Sequence, residues 1–300
     1  MRKGTFFSQA LRQFDAPQPW FRPRRTGSIR KRCHLIARRA TCNLLGDKHS
    51  PVFVLGNQKS GTTAIAQLLS LATNKTYSHD MLYRHRFNSS QVLQPDCTIR
   101  AFVEALPLEF YNDIIKEPNF SFLLPSILRE FPNSKVLFIV RNPISNVRSI
   151  FDRLGISGNY EGSDPCAVKN LHEENVWLSA LKAHLPQSDD LPCSFVASMS
   201  LRWLELAKMA YDYRKYVLIV RYEDFLSDKP GVIKHLCEFA GLDVTSDTQP
   251  YYGKQFQPRG KSQHDSASFF SYQNLCVIRR STHQVASLLY SEQDLARPLR

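Results

Sequence analysis

Three short apolar runs set the architecture of this chain: PVFVLG from Pro51 to Gly56, KVLFIV from Lys135 to Val140, and YVLIV from Tyr216 to Val220. Their apolar character is nearly continuous rather than alternating, which is how a parallel strand buried on both faces reads. Helical spacing follows each run, at Ala64–Ala72, Ser145–Leu154 and Pro230–Ala240. The alternation predicts an α/β protein of three layers, a central parallel sheet flanked by helices. Between positions 155 and 198, Gly, Asp, Pro and Ser cluster around one helical piece, Ala167–His184, so this stretch reads as an insertion over a site and not as a separate domain. In open sheets of this kind ligands bind beyond the carboxyl ends of the strands. All three runs end in polar, charged motifs.

Charge is unevenly placed along the 300 residues. Of 39 Lys and Arg and 27 Asp and Glu, the first 50 residues hold 12 basic side chains against only Asp15 and Asp47. That segment carries +10 of the formal +12 and leaves +2 for the remainder. A basic N-terminal arm, 1–48, is thereby separated from a nearly neutral body, 49–300, for which no specific nucleic-acid partner is expected. The arm suits a solvated segment ending in a short helix near Ile29–Leu45, a peripheral contact with an anionic membrane through Leu35, Ile36, Leu44 and Leu45, or an Arg-rich transit segment. No stretch approaches the roughly 20 apolar residues of a bilayer-spanning helix, and Met1–Leu45 lacks the apolar region of a secretory signal. Seven scattered cysteines without a C-x-x-C pair specify neither a zinc site nor a disulfide framework, although Cys166 and Cys193 bracket the insertion. N-x-[ST] patterns at Asn74, Asn88 and Asn119 are short enough to arise by chance. These features favour the cytoplasm.

The first run leads into Gly56-Asn57-Gln58-Lys59-Ser60-Gly61-Thr62-Thr63 and then a helix. Small residues let the backbone approach an anion, N–H groups at the helix start point toward it, and Lys59 adds a full positive charge. A Walker A loop places its lysine after the second glycine; here Lys59 precedes Gly61. The second run ends in Arg141, a bidentate donor at a strand tip, with Ser149 two turns into the next helix. Two anion sites on neighbouring strand tips suit a ligand with phosphate groups at both ends of a nucleoside.

The segment Lys59-Ser60-Gly61-Thr62-Thr63 resembles the 5′-phosphosulfate loop of sulfotransferases that use 3′-phosphoadenosine-5′-phosphosulfate (PAPS). Arg141-Asn142-Pro143 with Ser149 is similar to the family's R-[ND]-P-x-x-x-x-x-S segment, whose Arg and Ser bind the 3′-phosphate. Tyr222-Glu223-Asp224-Phe225, followed by Phe239-Ala240-Gly241-Leu242, resembles the family's Y-E-D-L and F-x-G-L block, where the Tyr lies near the adenine. Taken as a plain residue, Tyr222 reads equally well as a core aromatic. The three blocks stand in family order from Pro51 to Leu242, about two thirds of the chain. The resemblance implies a P-loop-like fold, PAPS as donor bound by Gln58, Lys59, Ser60, Gly61, Thr62, Thr63, Arg141, Ser149 and Tyr222, and sulfuryl transfer to an acceptor hydroxyl. In the basic stretch Gln257–Ser262, Arg259 and Lys261 resemble the cytosolic branch's R-K-G loop, although the order differs.

Sulfuryl transfer asks a protein to position two partners and to stabilise charge on the leaving oxygen, by analogy with phosphoryl transfer. Lys59 is placed for that role. The leaving phosphate has a low proton affinity, so no metal is expected. A general base must take the acceptor's proton. The block Ile114-Ile115-Lys116-Glu117-Pro118 resembles the family's K-T-P. It lacks both the His two residues after the lysine and a Glu before it, which are the bases of two branches. Asp80 lies 21 residues after Lys59, a spacing similar to the Glu of the tyrosylprotein branch. Asp80 is therefore the first candidate base, His79 the second and Glu117 the third, with Lys116 adding charge near the sulfuryl oxygens. The departure from K-T-H and the polar loops point to a carbohydrate or glycoconjugate acceptor, while the Asp80 spacing equally admits a peptide tyrosine. Two rivals remain: a nucleoside-triphosphate kinase using Glu223 or Asp224 for magnesium, and a non-enzymatic RNA-binding or adaptor protein acting through its basic arm.

Overall fold

A computed structural model of the chain describes residues 50–85, 87, 92, 94, 96–163, 181, 194–256 and 268–296. The basic arm, nearly all of the expected helical piece in the insertion, Cys166, Cys193, Asn88, Arg259 and Lys261 lie outside the described residues.

Five strands form one parallel sheet: β1 (Val52–Gly56), β2 (Tyr77–His79), β3 (Ile114–Lys116), β4 (Val136–Val140) and β5 (Leu218–Arg221), in the order β2-β3-β1-β4-β5. The helices among the described residues are α1 (Thr62–Thr73), α2 (Met81–Arg84), α3 (Ile99–Ala105), α4 (Pro107–Phe110), α5 (Leu124–Glu130), α6 (Pro143–Leu154), α7 (Phe195–Asp212), α8 (Tyr222–Ser227), α9 (Lys229–Ala240), α10 (Tyr272–Leu289) and α11 (Glu292–Ala296). The three runs are β1, β4 and β5; β1 and β4 are buried throughout, whereas β5, at the edge of the sheet, is fully buried only at Val220. The strands β2 and β3 are additional, three residues each, too short and too polar to announce themselves. Their pairing is set by the sheet: Tyr77 lies opposite Ile114 and His79 opposite Lys116, while Val54 of β1 lies opposite Lys116 on its other side.

Alternate residues of the strands feed different cores. Val52, Val54, Leu137 and Ile139 pack with Ile65, Leu68 and Leu69 of α1 and Leu236 of α9, whereas Phe53, Leu55, Val136 and Phe138 pack with Phe120, Ile127, Trp203 and Leu206 on the opposite face. Truncating one such fully buried leucine costs about 2–5 kcal/mol. A third cluster joins α6, α7 and α10, with Phe151 against Phe195 (5.3 Å) and Phe270 (5.6 Å).

Local chemistry fixes where the site-bearing helices begin. Helix α6 starts at Pro143, two residues before the expected Ser145, because Asn142 accepts from the N–H groups of Ile144 (3.0 Å) and Ser145 (3.3 Å) and Pro143 supplies a preset first turn. Asp228 likewise caps α9 by accepting from Gly231 N–H at 2.9 Å. The chain runs from β1 outward to β2, returns to β3, and crosses to β4 and β5 on the other side of β1. The reversal of order falls between β1 and β4, the place in open α/β sheets where ligands bind at the carboxyl ends of the strands. Among the described residues no helix is long and apolar enough to cross a membrane.

Candidate active site at the strand tips

The turn after β1 is shaped for close backbone approach. Gly56 has φ +142°, and a Cβ there would stand 2.3 Å from Ile139 O of β4. Its N–H donates to Ser121 Oγ (2.8 Å), and that hydroxyl donates back to Gly56 O (3.1 Å). Gly61, at φ +89°, forms the N-cap of α1 without any side chain to satisfy the helix's first amides. A Cβ there would lie 2.2 Å from the Tyr222 ring. The first turn of this twelve-residue helix therefore presents N–H groups to an anion. Lys59 sits between the glycines at φ +65°, a left-handed geometry that costs a non-glycine residue about 1–2 kcal/mol.

A buried polar network holds this loop from behind. Asn146 of α6, fully buried, donates to Gln58 O (2.9 Å) and Ser60 Oγ (3.1 Å) and accepts from Asn57 Nδ2 (2.8 Å). Arg202 of α7, also fully buried, donates through Nε to Asn57 Oδ1 (3.0 Å) and through Nη2 to Gln58 Oε1, with its guanidinium 4.8 Å from the Phe122 ring. Burial pushes Arg202 down to about 9. The Gln58 side chain is thus directed inward, away from any ligand, and completes its bonding by donating to Asn119 Oδ1 at 2.7 Å. Arg202, Asn146 and Asn119 escaped the sequence reading. The one signal for Arg202 was an arginine beside Trp203 among apolar residues of a helix.

At the tip of β4, Arg141 donates to Lys59 O at 2.8 Å, and its guanidinium covers the Tyr222 ring at 5.0 Å. Its buried Nε has no hydrogen-bond partner. Trp203 Nε1 donates to Arg141 O (2.8 Å), Asn142 N–H donates to Glu223 Oε1 (2.9 Å), and Tyr290 OH donates to Glu223 Oε2 (3.2 Å). Tyr222 packs against the core through Phe225 (5.9 Å between ring centroids) while its ring stands between Gly61 and Arg141. Ser149 is half-buried on α6. Asp224 is taken up by Arg221, which donates to it through Nε (2.8 Å) and Nη2 (2.6 Å) and also reaches Asp294 at 2.7 Å. Both carboxylates that a magnesium-dependent kinase would need here are committed to structure.

The charge environment is strongly positive. Burial, then Arg153 and Arg141, lowers Lys59 to about 8, against the opposing pull of Asp152. On the β3 side Lys116, 2% exposed, donates to Asp80 Oδ1 at 2.5 Å, and Asp80 is 34% exposed. Asp80 has φ +48° and N-caps α2, and its N–H donates to Lys116 O at 3.2 Å. His79 stacks on Tyr77 at 4.9 Å, and burial lowers its imidazole below the ordinary value. Glu117 does not qualify as a proton acceptor for substrate: it is 1% exposed and both its oxygens accept backbone or amide N–H groups. Asn119, one of the sequon positions, is buried and bonded through its side chain, so it is no glycan acceptor.

The residues fit a dianionic nucleotide on observations of this site alone. An unpartnered Arg141 Nε, a helix start without a capping side chain and a desolvated lysine surround a turn that only glycine can make. A parallel α/β sheet with such a loop at its order reversal defines a nucleotide-binding transferase fold of P-loop-like build. The sulfotransferase domain family's model matches residues 49–273, and the chain belongs to the sulfotransferase family. The family uses PAPS as sulfuryl donor, which makes this chain a PAPS-dependent sulfotransferase by class.

Solved structures similar to it include the sulfotransferase from Alicyclobacillus acidocaldarius, 15% identical with a TM-score of 0.46, covering 83% of this chain and 97% of that one. Retinol dehydratase in a complex with retinol and PAP is 16% identical, TM-score 0.46, covering 89% of this chain and 88% of that one. A mouse sulfotransferase complexed with PAP is 17% identical, TM-score 0.40, covering 82% and 81% respectively. No curated protein matches the chain.

Proposed function

We propose that the protein transfers the sulfuryl group of PAPS to a hydroxyl of a carbohydrate or glycoconjugate, with Asp80 as general base. The observation that carries this reading is the 2.5 Å pair of Asp80 and Lys116 at the carboxyl end of β3, the strand beside β1 and its Lys59 loop. When bound, the donor supplies an activated sulfuryl group. Lys59, Ser60 and the amides of Gly61, Thr62 and Thr63 would hold its 5′ end, Arg141 and Ser149 its 3′-phosphate, and Tyr222 its base, with Gln58 bracing the loop. The 3′-phosphate is also the assignment for Arg259 and Lys261.

Asp80 keeps Oδ2 for the acceptor's proton, since Lys116 holds Oδ1. Proton removal to Asp80 makes the acceptor oxygen nucleophilic as its bond to sulfur forms and the bond from sulfur to the bridging phosphate oxygen breaks, so that the desulfated nucleotide would leave with that oxygen and its charge. Lys59 and Lys116 place positive charge where negative charge grows, in a partly desolvated setting where such charge counts for more than in water. His79, held over Tyr77, is the second candidate for the proton. No metal is required by this chemistry. A sugar hydroxyl is favoured by the polar loops and by the departure from K-T-H; small-molecule hydroxyls belong to the same chemical class. A cytoplasmic setting and contact of the basic arm with an anionic membrane complete the proposal.

The test is transfer of radiolabel from PAPS to a panel of oligosaccharides, phenols and tyrosine peptides, with and without EDTA. Label should pass to saccharides, survive EDTA, and fall about a hundredfold or more in Asp80→Asn. Label on tyrosine peptides alone overturns the acceptor assignment, and full turnover by Asp80→Asn overturns the base assignment.

A further inference from the structure

We infer that Glu117 and Asn119 are positioning residues that tie α2, the helix capped by Asp80, to the donor loop through one continuous chain of buried hydrogen bonds. From Arg202 the chain passes to Gln58 Oε1, then from Gln58 Nε2 to Asn119 Oδ1 (2.7 Å), from Asn119 Nδ2 to Glu117 Oε1 (3.0 Å), and from Leu82 N–H to Glu117 Oε2 (3.1 Å). Leu82 belongs to the first turn of α2, two residues beyond Asp80. Every link is buried: Gln58 is 4% exposed, Asn119 8%, Glu117 1% and Leu82 0%.

The polarity of the chain is determined from its ends. A guanidinium only donates and an ionised carboxylate only accepts, so Arg202 and Glu117 dictate which way the amides of Gln58 and Asn119 face. Turning either amide over would set donor against donor or acceptor against acceptor among buried groups. Nucleotide held on the Gln58–Thr63 backbone therefore restricts Gln58, and that restriction is passed to the amide of Leu82. The coupling does not depend on Asp80 being the base; its catalytic consequence, a base registered against the donor, rests on that reading.

Glu117 also faces the charges of Asp80, which raises its carboxyl, and Lys116, which lowers it. Burial is the largest influence and brings it to about 7. Its partners, the amides of Leu82 and Asn119 and the Asn119 side-chain Nδ2, are all N–H donors, so a protonated Glu117 loses an acceptor and the chain is interrupted. The link is accordingly a feature of the ionised form, complete above neutrality.

Hydrogen–deuterium exchange on the full chain, with and without 3′-phosphoadenosine-5′-phosphate (PAP, the desulfated product), tests this. At pH 8, PAP should slow exchange about threefold or more both in peptides over 57–63 and in those over 81–85. In Glu117→Gln, which keeps the side-chain volume, and in Asn119→Ala, the loop should still be protected by PAP while the response at 81–85 disappears. A merely structural role would raise exchange at 81–85 equally with and without PAP, and that result overturns the proposal. So does an unchanged response in both variants, or no response at 81–85 in the unaltered protein. Full turnover by Asp80→Asn would sink the base assignment and leave this exchange result untouched, so the two failures are distinguishable.

Discussion

Tyr222 lies so close to Gly61 that a Cβ on residue 61 would stand 2.2 Å from the ring atoms Cδ2 and Cε2, and the Arg141 guanidinium covers the same ring at 5.0 Å. One aromatic side chain thus sets the spacing between the Lys59 loop and Arg141. Gly61→Ala forces ring and loop apart and places alanine at φ +89°. It should weaken PAP binding by about tenfold or more and cost about 1–3 kcal/mol of stability. Calorimetric titration and a urea melt measure the two effects, and an alanine variant with native affinity would show that the ring does not set the spacing.

Lys59 is expected to give PAP binding a pH dependence of known sign. Burial and its neighbours Arg153 and Arg141 bring the ammonium to about 8 in the free protein, below the ordinary 10.5. Binding a dianion needs the protonated form, so affinity should be level below pH 8 and fall toward tenfold per unit above it. Lys59→Arg stays charged and should lose this fall. Titrations between pH 6.5 and 9.5 decide it; identical profiles for the two proteins would remove Lys59 from the anion site.

Arg202 should matter for the loop as much as for the core. Arg202→Met leaves Gln58 Oε1 buried without its donor and removes one of the donors on Asn57 Oδ1. Roughly 2–4 kcal/mol of stability should be lost, together with PAP affinity. Arg202→Lys offers a single ammonium in place of a fork and should recover only part of either. Chemical denaturation of both variants, beside PAP titration, checks this. Unaltered PAP affinity in a folded Arg202→Met would confine Arg202 to packing.

Glu117 gives folding its own pH dependence. Its carboxyl is raised to about 7 in the folded chain against an ordinary 4.5. Between those values the folded state keeps a proton that the unfolded state releases, so this stabilising contribution is complete below about 4.5 and is lost as pH rises through 7. The melting temperature of the native sequence, taken relative to Glu117→Gln, should decline from pH 5 to pH 8 and level off above it. A difference independent of pH would mean that Glu117 ionises like a surface carboxylate.

The sequence disclosed those parts of the molecule whose causes are local. β1 and β4 are legible because strands buried on both faces must be apolar throughout, β5 because its run stays apolar even at the edge of the sheet, and the loop after β1 because its small residues, its lysine and the following helix are contiguous. The strands β2 and β3 were missed because three residues carry no period; neighbouring strands hold them in place, and Thr76 bonds Asp113 at 2.8 Å across their entry. Lys116 surfaced only through the resemblance of its block to K-T-P. The bonds that join Arg202, Asn146 and Asn119 to Asn57, Gln58 and Ser60 are not legible in the sequence, since each crosses a distant stretch of chain in a core where polar groups must find one another. Glu117 was read as a possible base from its type and place beside Lys116, and only the packing around it reveals that its oxygens are already engaged.

The claim on which everything else depends is that one nucleotide spans the β1 and β4 tips between Lys59 and Arg141. Calorimetric titration of PAP into the native protein, Lys59→Ala and Arg141→Ala measures it most directly. Saturable binding at one site per chain, weakened about tenfold or more by each substitution, is the expected result. No binding by the native protein, or equal affinity in all three, would contradict it.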